Sequence, residues 1–322
     1  VKEKQGWSGT EMLEAVFDEP PFLIKKLLWE KDNVIVLGDA KTGKSLWTLQ
    51  IACALTSGED FLDEYKVSRK CNVLYVQAEG KMYESCARLK NMQRGVPSDP
   101  SLLRWLHVPH LPMDRPDSAD RFKALVEENF GDFIPDVIIF DPLYMMVSTG
   151  SLKEDDVSRN VTANFNIVKT IYNCAIILNH HQHRPKKKKN SSADIDEGDQ
   201  SIFGSFVWRA WPDHILQWKK KNDVQRVLTC DTQRSGNVVN NVNIIFNQPN
   251  PLYFELDEDN KTVENSIIVL ARNREYFGPS EVKELSNGND SKVKRAIRKM
   301  TTNGTIERVS RGLYRAKIKE NV

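Results

Sequence analysis

Eight consecutive residues, Gly38, Asp39, Ala40, Lys41, Thr42, Gly43, Lys44 and Ser45, carry the most specific chemical signal of the chain. Glycine, four residues, glycine, lysine and serine is the spacing of a loop that cradles phosphate. Gly43 lets the backbone approach an anion closely, and the amides of the loop and of a following helix turn positive partial charge toward it. Lys44 can reach the β- and γ-phosphates of a nucleoside triphosphate, and Ser45 can ligate Mg²⁺. ATP and Mg²⁺ are therefore the expected ligands. Asp141, after the apolar run Val137, Ile138, Ile139 and Phe140, is placed to join Ser45 on the metal; a turn or helix-cap carboxylate is the alternative. Glu79 follows Val73, Leu74, Tyr75, Val76 and Gln77. A carboxylate there can polarise an attacking water, or simply be a solvated strand end.

These groups need strand tips to hold them. Short apolar runs at 33–37, 72–77, 103–108, 137–140 and 175–178 read as strands. They alternate with helical patterns at 44–56, 81–94, 117–129 and 155–172, with Ser118 or Asp117 as a cap. That alternation predicts an α/β fold with a mostly parallel, helix-covered sheet. After a short helix near 204–210, strand-like stretches at 214–218, 225–229, 239–246 and 252–256 follow closely, with turn residues between them. They predict an antiparallel extension. Residues 257–263 read as a linker between a 1–256 domain and a 264–322 domain. The second domain has helices at 264–272, after Pro279 and at 291–303, then a hairpin turning at Arg311 and Gly312. Three helices and a hairpin form a winged-helix pattern.

Composition narrows the class. With 322 residues, 40% hydrophobic and 28% charged, the chain can bury a core and is not wholly disordered. Cys53, Cys71, Cys86, Cys174 and Cys230 are scattered and odd in number, which excludes a disulfide scaffold. No window resembles a membrane span, and residues 1–6 lack a signal-peptide apolar region. A reducing, cytoplasmic location is expected.

The strands and their flanks resemble the RepA-type branch of RecA-like ATPases, the hexameric plasmid and phage replicative helicases. The resemblance covers about 15–246. It rests on Pro20, Pro21, Phe22, Leu23 and Ile24; on Val73 through Gly80 with Arg88 and Leu89; and on Ile176, Ile177, Leu178, Asn179, His180 and His181. It implies a RecA-like core, Glu79 as general base, and a γ-phosphate sensor after the fifth strand, His181 first and His180 second. Surface histidines are the alternative for His180, His181 and His183; no cysteine or carboxylate has matching metal spacing. Related helicases supply arginine fingers from a Lys-x-Arg-x-Gly segment. Here the match is Thr232, Gln233, Arg234, Ser235 and Gly236, so Arg234 is the trans-acting finger candidate. A solvated hairpin arginine is its rival. A finger acting in trans implies a homo-oligomeric ring, expected to be a hexamer.

Nucleic acid has two candidate contacts. The loop after the histidines carries Arg184, Lys186, Lys187, Lys188 and Lys189, facing phosphate or merely solvent. From residue 292 onward the chain carries +8, leaving −6 on residues 1–291 beneath an overall +2. Lys294, Arg295, Arg298 and Lys299 can form the basic face of a helix, with Arg311 at the wing. Duplex DNA contact and protein docking are both open for this domain. The average charge argues against a nucleic-acid partner, whereas its distribution argues for one. The expected function is an ATP-driven motor on single-stranded DNA, a replicative helicase with a primase or polymerase partner. The alternative is a non-helicase DNA-binding ATPase, such as a recombination mediator or loading regulator.

Overall fold

The computed structural model describes residues 6–15, 21–148, 151–181, 205–233, 242–248, 251–257, 263–286, 290–302 and 304–317. The first elements are α1 (Gly9–Glu14), β1 (Phe22–Ile24), β2 (Leu28–Trp29), β3 (Asn33–Gly38), α2 (Lys44–Ser57), β4 (Val73–Gln77) and α3 (Met82–Met92). Next come β5 (Leu103–His107), α4 (Ser118–Phe130), β6 (Val137–Asp141), α5 (Asp155–Tyr172), β7 (Ala175–His181) and α6 (Val207–Ala210). Then follow β8 (His214–Lys220), β9 (Gln225–Gln233), β10 (Val242–Asn247) and β11 (Tyr253–Leu256). The chain closes with α7 (Val263–Asn273), α8 (Pro279–Ser286), α9 (Asp290–Thr302), β12 (Ile306–Ser310) and β13 (Leu313–Ala316).

Among the described residues, nine strands form one sheet in the order β11-β10-β9-β8-β3-β7-β6-β4-β5. Pairing is parallel from β8 through β5 and antiparallel from β8 through β11. The expected mixed sheet is therefore present. Continuous apolar strands need cover on both faces, and alternation of side chains supplies it. In β3, Val34 and Val36 join the core containing Trp47, Ile51 and Leu55 of α2. Ile35 and Leu37 join the opposite core with Phe122 of α4 and Phe165 of α5. Each fully buried Leu, Ile, Val or Phe contributes roughly 1.5–3 kcal/mol of transfer free energy, so both layers are needed to hold the sheet.

At the N-terminal ends of the strands, Asp32 accepts from the Trp29 amide at 2.9 Å and lies 3.1 Å from Nε2 of His214. Burial is the largest single influence and opposes the imidazolium charge, but Asp32 and Cys230 together outweigh it and raise the His214 pKa to about 9.

The C-terminal elements share a third core of Ile267, Leu270, Phe277, Val282, Leu285, Val293 and Ile297. Val224 and Ile245 from the main sheet enter the same cluster. Three helices and an antiparallel hairpin are thus present, and they rest on the antiparallel end of the sheet. On α9, Val293, Ile297 and Met300 are buried while Lys294 and Arg298 are exposed.

Some expectations are corrected. Helix α1 and the β1–β2 hairpin are additional elements. Asp117 occupies the N-cap of α4 without a side-chain capping bond; Ser118 Oγ instead accepts from the Arg115 amide at 3.1 Å. The strand expected at 239–246 is seen as Val242–Asn247 among the described residues. Among the described residues, no helix is long and apolar enough to cross a membrane.

Candidate functional site

The parallel strands all point their C-terminal ends toward the 38–45 loop, where an open α/β sheet offers a ligand crevice. Register sets the neighbours. Gly38 pairs with His181 across β3 and β7, and Gln77 pairs with Asp141 across β4 and β6. A cleft of about 630 Å³ opens there, and Lys44, Ser45, Glu79, Asp141 and His181 all line it.

Gly43 caps α2 with φ 97°, a left-handed conformation that favours glycine. A Cβ there would lie 3.3 Å from Phe254 Cζ, and one on Gly38 would lie 2.4 Å from the Trp218 carbonyl oxygen. Gly38 is therefore demanded by the strand behind the loop, whereas at Gly43 the left-handed φ is the stronger constraint. Thr42 Oγ1 donates to the Asp39 carbonyl at 2.8 Å and closes the turn.

Lys44 folds its ammonium onto the loop, donating to the carbonyls of Gly38 and Asp39 at 2.8 Å each. Its Nζ is 3.3 Å from His181 Nδ1. Burial lowers the Lys44 pKa to about 8, only partly offset by Asp141, Asp39 and Glu79. His181 is also lowered, by burial first and by Lys44 second. A neutral imidazole accepting from Lys44 satisfies both shifts. His180 is fully buried, its ring 6.0 Å from that of Trp208 in the opposite core layer. Strand alternation thus puts His181, not His180, beside the loop lysine.

Asp141 ends β6 and is nearly buried. Tyr75 donates its hydroxyl to Asp141 Oδ2 at 2.7 Å, and the Tyr75 ring stacks on Trp105 at 4.4 Å. Glu79 is exposed two residues beyond β4. Tyr144 donates to Glu79 Oε2 at 2.7 Å, and its ring lies 5.2 Å from that of His181. Burial, then the Glu79 contact, raise the Tyr144 pKa. Gln77 donates to the Glu79 carbonyl, while its Oε1 accepts from Ser85 and Trp105 at 2.7 and 2.9 Å.

Lys44, His181, Glu79 and Asp141 are thus brought together. Ser45 and Asp141 bring hard oxygen donors to one cleft, which suits Mg²⁺ kept by few protein ligands plus waters and phosphates. Among the described residues no cluster of three His, Cys, Asp or Glu side chains could hold a metal alone. Arg184, Lys186, Lys187, Lys188, Lys189, His183 and Arg234 lie outside the described residues, as do the side chains of Arg295 and Lys299. Lys294, Arg298 and Arg311 are exposed in the C-terminal unit. The sequence reading missed Tyr75, Gln77 and Tyr144. One signal was available: Tyr75 and Gln77 share a strand face that carries hydrogen-bonding groups at the end nearest the loop.

Residues 6–187 match the family model described as an AAA domain. No curated protein matches the chain. Among solved structures, the flagellar accessory protein FlaH from Methanocaldococcus jannaschii is similar at 17% identity and a TM-score of 0.43, over 71% of this chain and 90% of that one. A KaiC-like protein from Pyrococcus horikoshii OT3 is similar at 15% identity and a TM-score of 0.44, over 74% and 95%. With a matched phosphate loop facing two carboxylates across one cleft, the chain belongs to the AAA domain family and is a P-loop ATPase.

Proposed function

We propose that this ATPase is a RecA-like motor on single-stranded DNA, a replicative helicase of the plasmid and phage type. One observation carries the reading. His181 lies 3.3 Å from Lys44, and the chain then runs directly into the segment holding Arg184, Lys186, Lys187, Lys188 and Lys189. In this reading the γ-phosphate sensor stands three residues before the most basic stretch of the sequence. Loss of that phosphate can be reported to DNA held there.

The amides of 38–45 and Lys44 hold phosphate. Ser45 and Asp141 hold Mg²⁺, which neutralises charge on the phosphoryl oxygens when bound. Glu79 orients the attacking water through Oε1, because Oε2 is engaged by Tyr144. His181 senses the γ-phosphate. Arg234, one residue after β9, completes a neighbour's site in a ring, and a hexamer suits this class. Phe206 is 61% exposed, and the Arg159 guanidinium lies 6.0 Å from its ring centre. An aromatic flanked by arginine suits base stacking on a single strand. The C-terminal unit, read as a winged helix, offers Lys294, Arg298 and Arg311 to duplex phosphates, or docks a primase or polymerase.

A forked duplex with a single-stranded tail tests the reading. ATP turnover should rise with single-stranded DNA, and strand displacement should require ATP. DNA-stimulated turnover without displacement would favour a recombination mediator or loading regulator. Arg234→Ala should retain ATP binding and lose most hydrolysis; unchanged turnover would remove the finger assignment.

A further inference from the structure

The phosphate loop is held from behind by a buried cation. Arg226 is 3% exposed, yet among the described residues its hydrogen bonds all go to backbone carbonyls. Its Nε donates to Thr42 at 2.9 Å, and its Nη1 donates to Asn222 at 2.7 Å and to Gln225 at 2.9 Å. The guanidinium lies 5.3 Å from the centre of the Phe246 ring. Asp223 acts on it only at a distance, and that carboxylate is exposed and paired with Lys220 at 2.7 Å. An interior charge without a close counter-ion is costly. Here the group it grips is the loop built to receive anions. Trp218 Nε1 donates to the same Thr42 carbonyl at 2.9 Å, so the oxygen is fixed from two sides.

The residue before Arg226 faces elsewhere. Gln225 Nε2 donates to the Leu285 carbonyl in α8 at 3.1 Å and to Asp257 at 3.1 Å. Val224, one residue earlier, packs in the core of the C-terminal unit. Asn222 locks the turn between β8 and β9. Its Oδ1 accepts from the amides of Val224 and Gln225 at 2.9 and 2.8 Å, and its Nδ2 donates to Gln225 Oε1 at 3.1 Å. Three consecutive residues therefore connect the C-terminal core, α8 and the phosphate loop through one fixed turn.

We infer that the β8–β9 turn couples the C-terminal helical unit to the phosphate loop, with Arg226 as the positioning residue for Thr42 and Gln225 as the contact that reads α8. This rests on the loop binding ATP. Coupling of this kind is reciprocal: whatever displaces α8 shifts nucleotide affinity, and nucleotide shifts α8 by the same free energy. The contacts form a continuous physical link, and the measurements below ask whether it carries energy.

The full chain is used throughout. Arg226→Gln should raise the KM for ATP about tenfold or more, the scale of a lost charge-assisted hydrogen bond, with kcat within about threefold. Arg226→Lys keeps the charge and should recover part of the loss; it carries the test alone if Arg226→Gln does not melt cooperatively. Hydrogen exchange supplies the second readout. In the wild type, a non-hydrolysable ATP analogue should change amide protection across Pro279–Ser286. Gln225→Ala should erase that change while analogue affinity stays within about threefold, since it cuts the side-chain bonds to α8, Asp257 and Asn222 but leaves the Arg226–Thr42 bond in place. A wild-type KM in folded Arg226 variants, or α8 exchange indifferent to the analogue, would overturn the coupling. Failure of the wild type to bind the analogue would instead overturn the ATP reading beneath it.

Discussion

The two sides of the phosphate loop are built on opposite principles. On the cleft side stand ionisable groups in partial contact with water: Lys44, His181, Asp141 and Glu79. Behind the loop stand Trp218, Trp47 and Phe254, all almost fully buried. Trp218 stacks on Trp47 at 4.5 Å and meets Phe254 edge-on at 5.1 Å. Gln50 of α2 clamps β11, donating to the Phe254 carbonyl at 2.7 Å and accepting from its amide at 2.6 Å. The cleft side carries charge that costs stability; the rear, apart from the buried Arg226, repays it in packing. A loop that must bind a polyanion tightly and release it again needs both, because a flexible cradle would lose affinity to ordering entropy.

The largest effect should come from the rear. Trp218→Ala removes a fully buried ring and one donor to Thr42, and should cost about 3–5 kcal/mol of stability. Chemical denaturation checks it. Lys44→Met at the front should do the reverse. Turnover should fall about 10²–10³-fold, the scale of losing a preorganised group at developing charge. The melting temperature should hold or rise, because a desolvated ammonium has been removed. If Lys44→Met destabilises as strongly as Trp218→Ala, the division between the two sides is wrong.

That division also explains what was legible in the sequence. The loop occupies eight consecutive residues and its helix follows at once, so spacing alone disclosed it. Asp141 was readable because a continuous apolar run ends at it. The rear was not readable: Trp218 and Arg226 reach Thr42 from 176 and 184 residues away. Nothing local marks either residue as a loop support. Tyr144 was missed for the same reason, since it meets Glu79 across 65 residues of chain. The β1–β2 hairpin escaped because its strands are three and two residues long, too short for alternation to register. Its turn uses Lys26 at φ 67° where a glycine would have signalled it. Helix α1 has a readable capping box, Ser8 with Glu11, but buries no residue and so shows no apolar stripe.

Tyr144 sharpens the comparison within the cleft itself. Tyr144→Phe keeps the ring against His181 and deletes only the hydroxyl that holds Glu79 Oε2. If Glu79 orients water, kcat should fall about tenfold with the KM for ATP little changed, as expected for misorienting a general base without touching phosphate. A change confined to KM would place Tyr144 with the binding groups instead. Glu79→Gln gives the reference, since a Tyr144 effect that survives in that background cannot act through the carboxylate.

The smallest effect is a pH dependence, and it separates the two sides by charge alone. Lys44 has a pKa of about 8 in the ligand-free loop, set chiefly by burial. Phosphates entering the loop add negative charge beside it and must raise that value. Below pH 8 the lysine keeps its proton whether or not nucleotide is present, so ADP affinity should be level. Above pH 8 the free protein has lost the proton and must recover it on binding. Affinity should then fall by up to tenfold per pH unit until the pKa of the complex is reached. Calorimetry in buffers of differing ionisation enthalpy should find close to one proton taken up at pH 9 and close to none at pH 7 from this group. Arg226 at the rear, lowered by burial only to about 10, stays charged across that window and cannot produce the step. Lys44→Met should bind ADP weakly with a flat profile from pH 7 to 9, while Arg226→Lys, altered only behind the loop, should keep the step. A step that persists without Lys44 would assign it to another group in the cleft and remove the burial argument for this lysine.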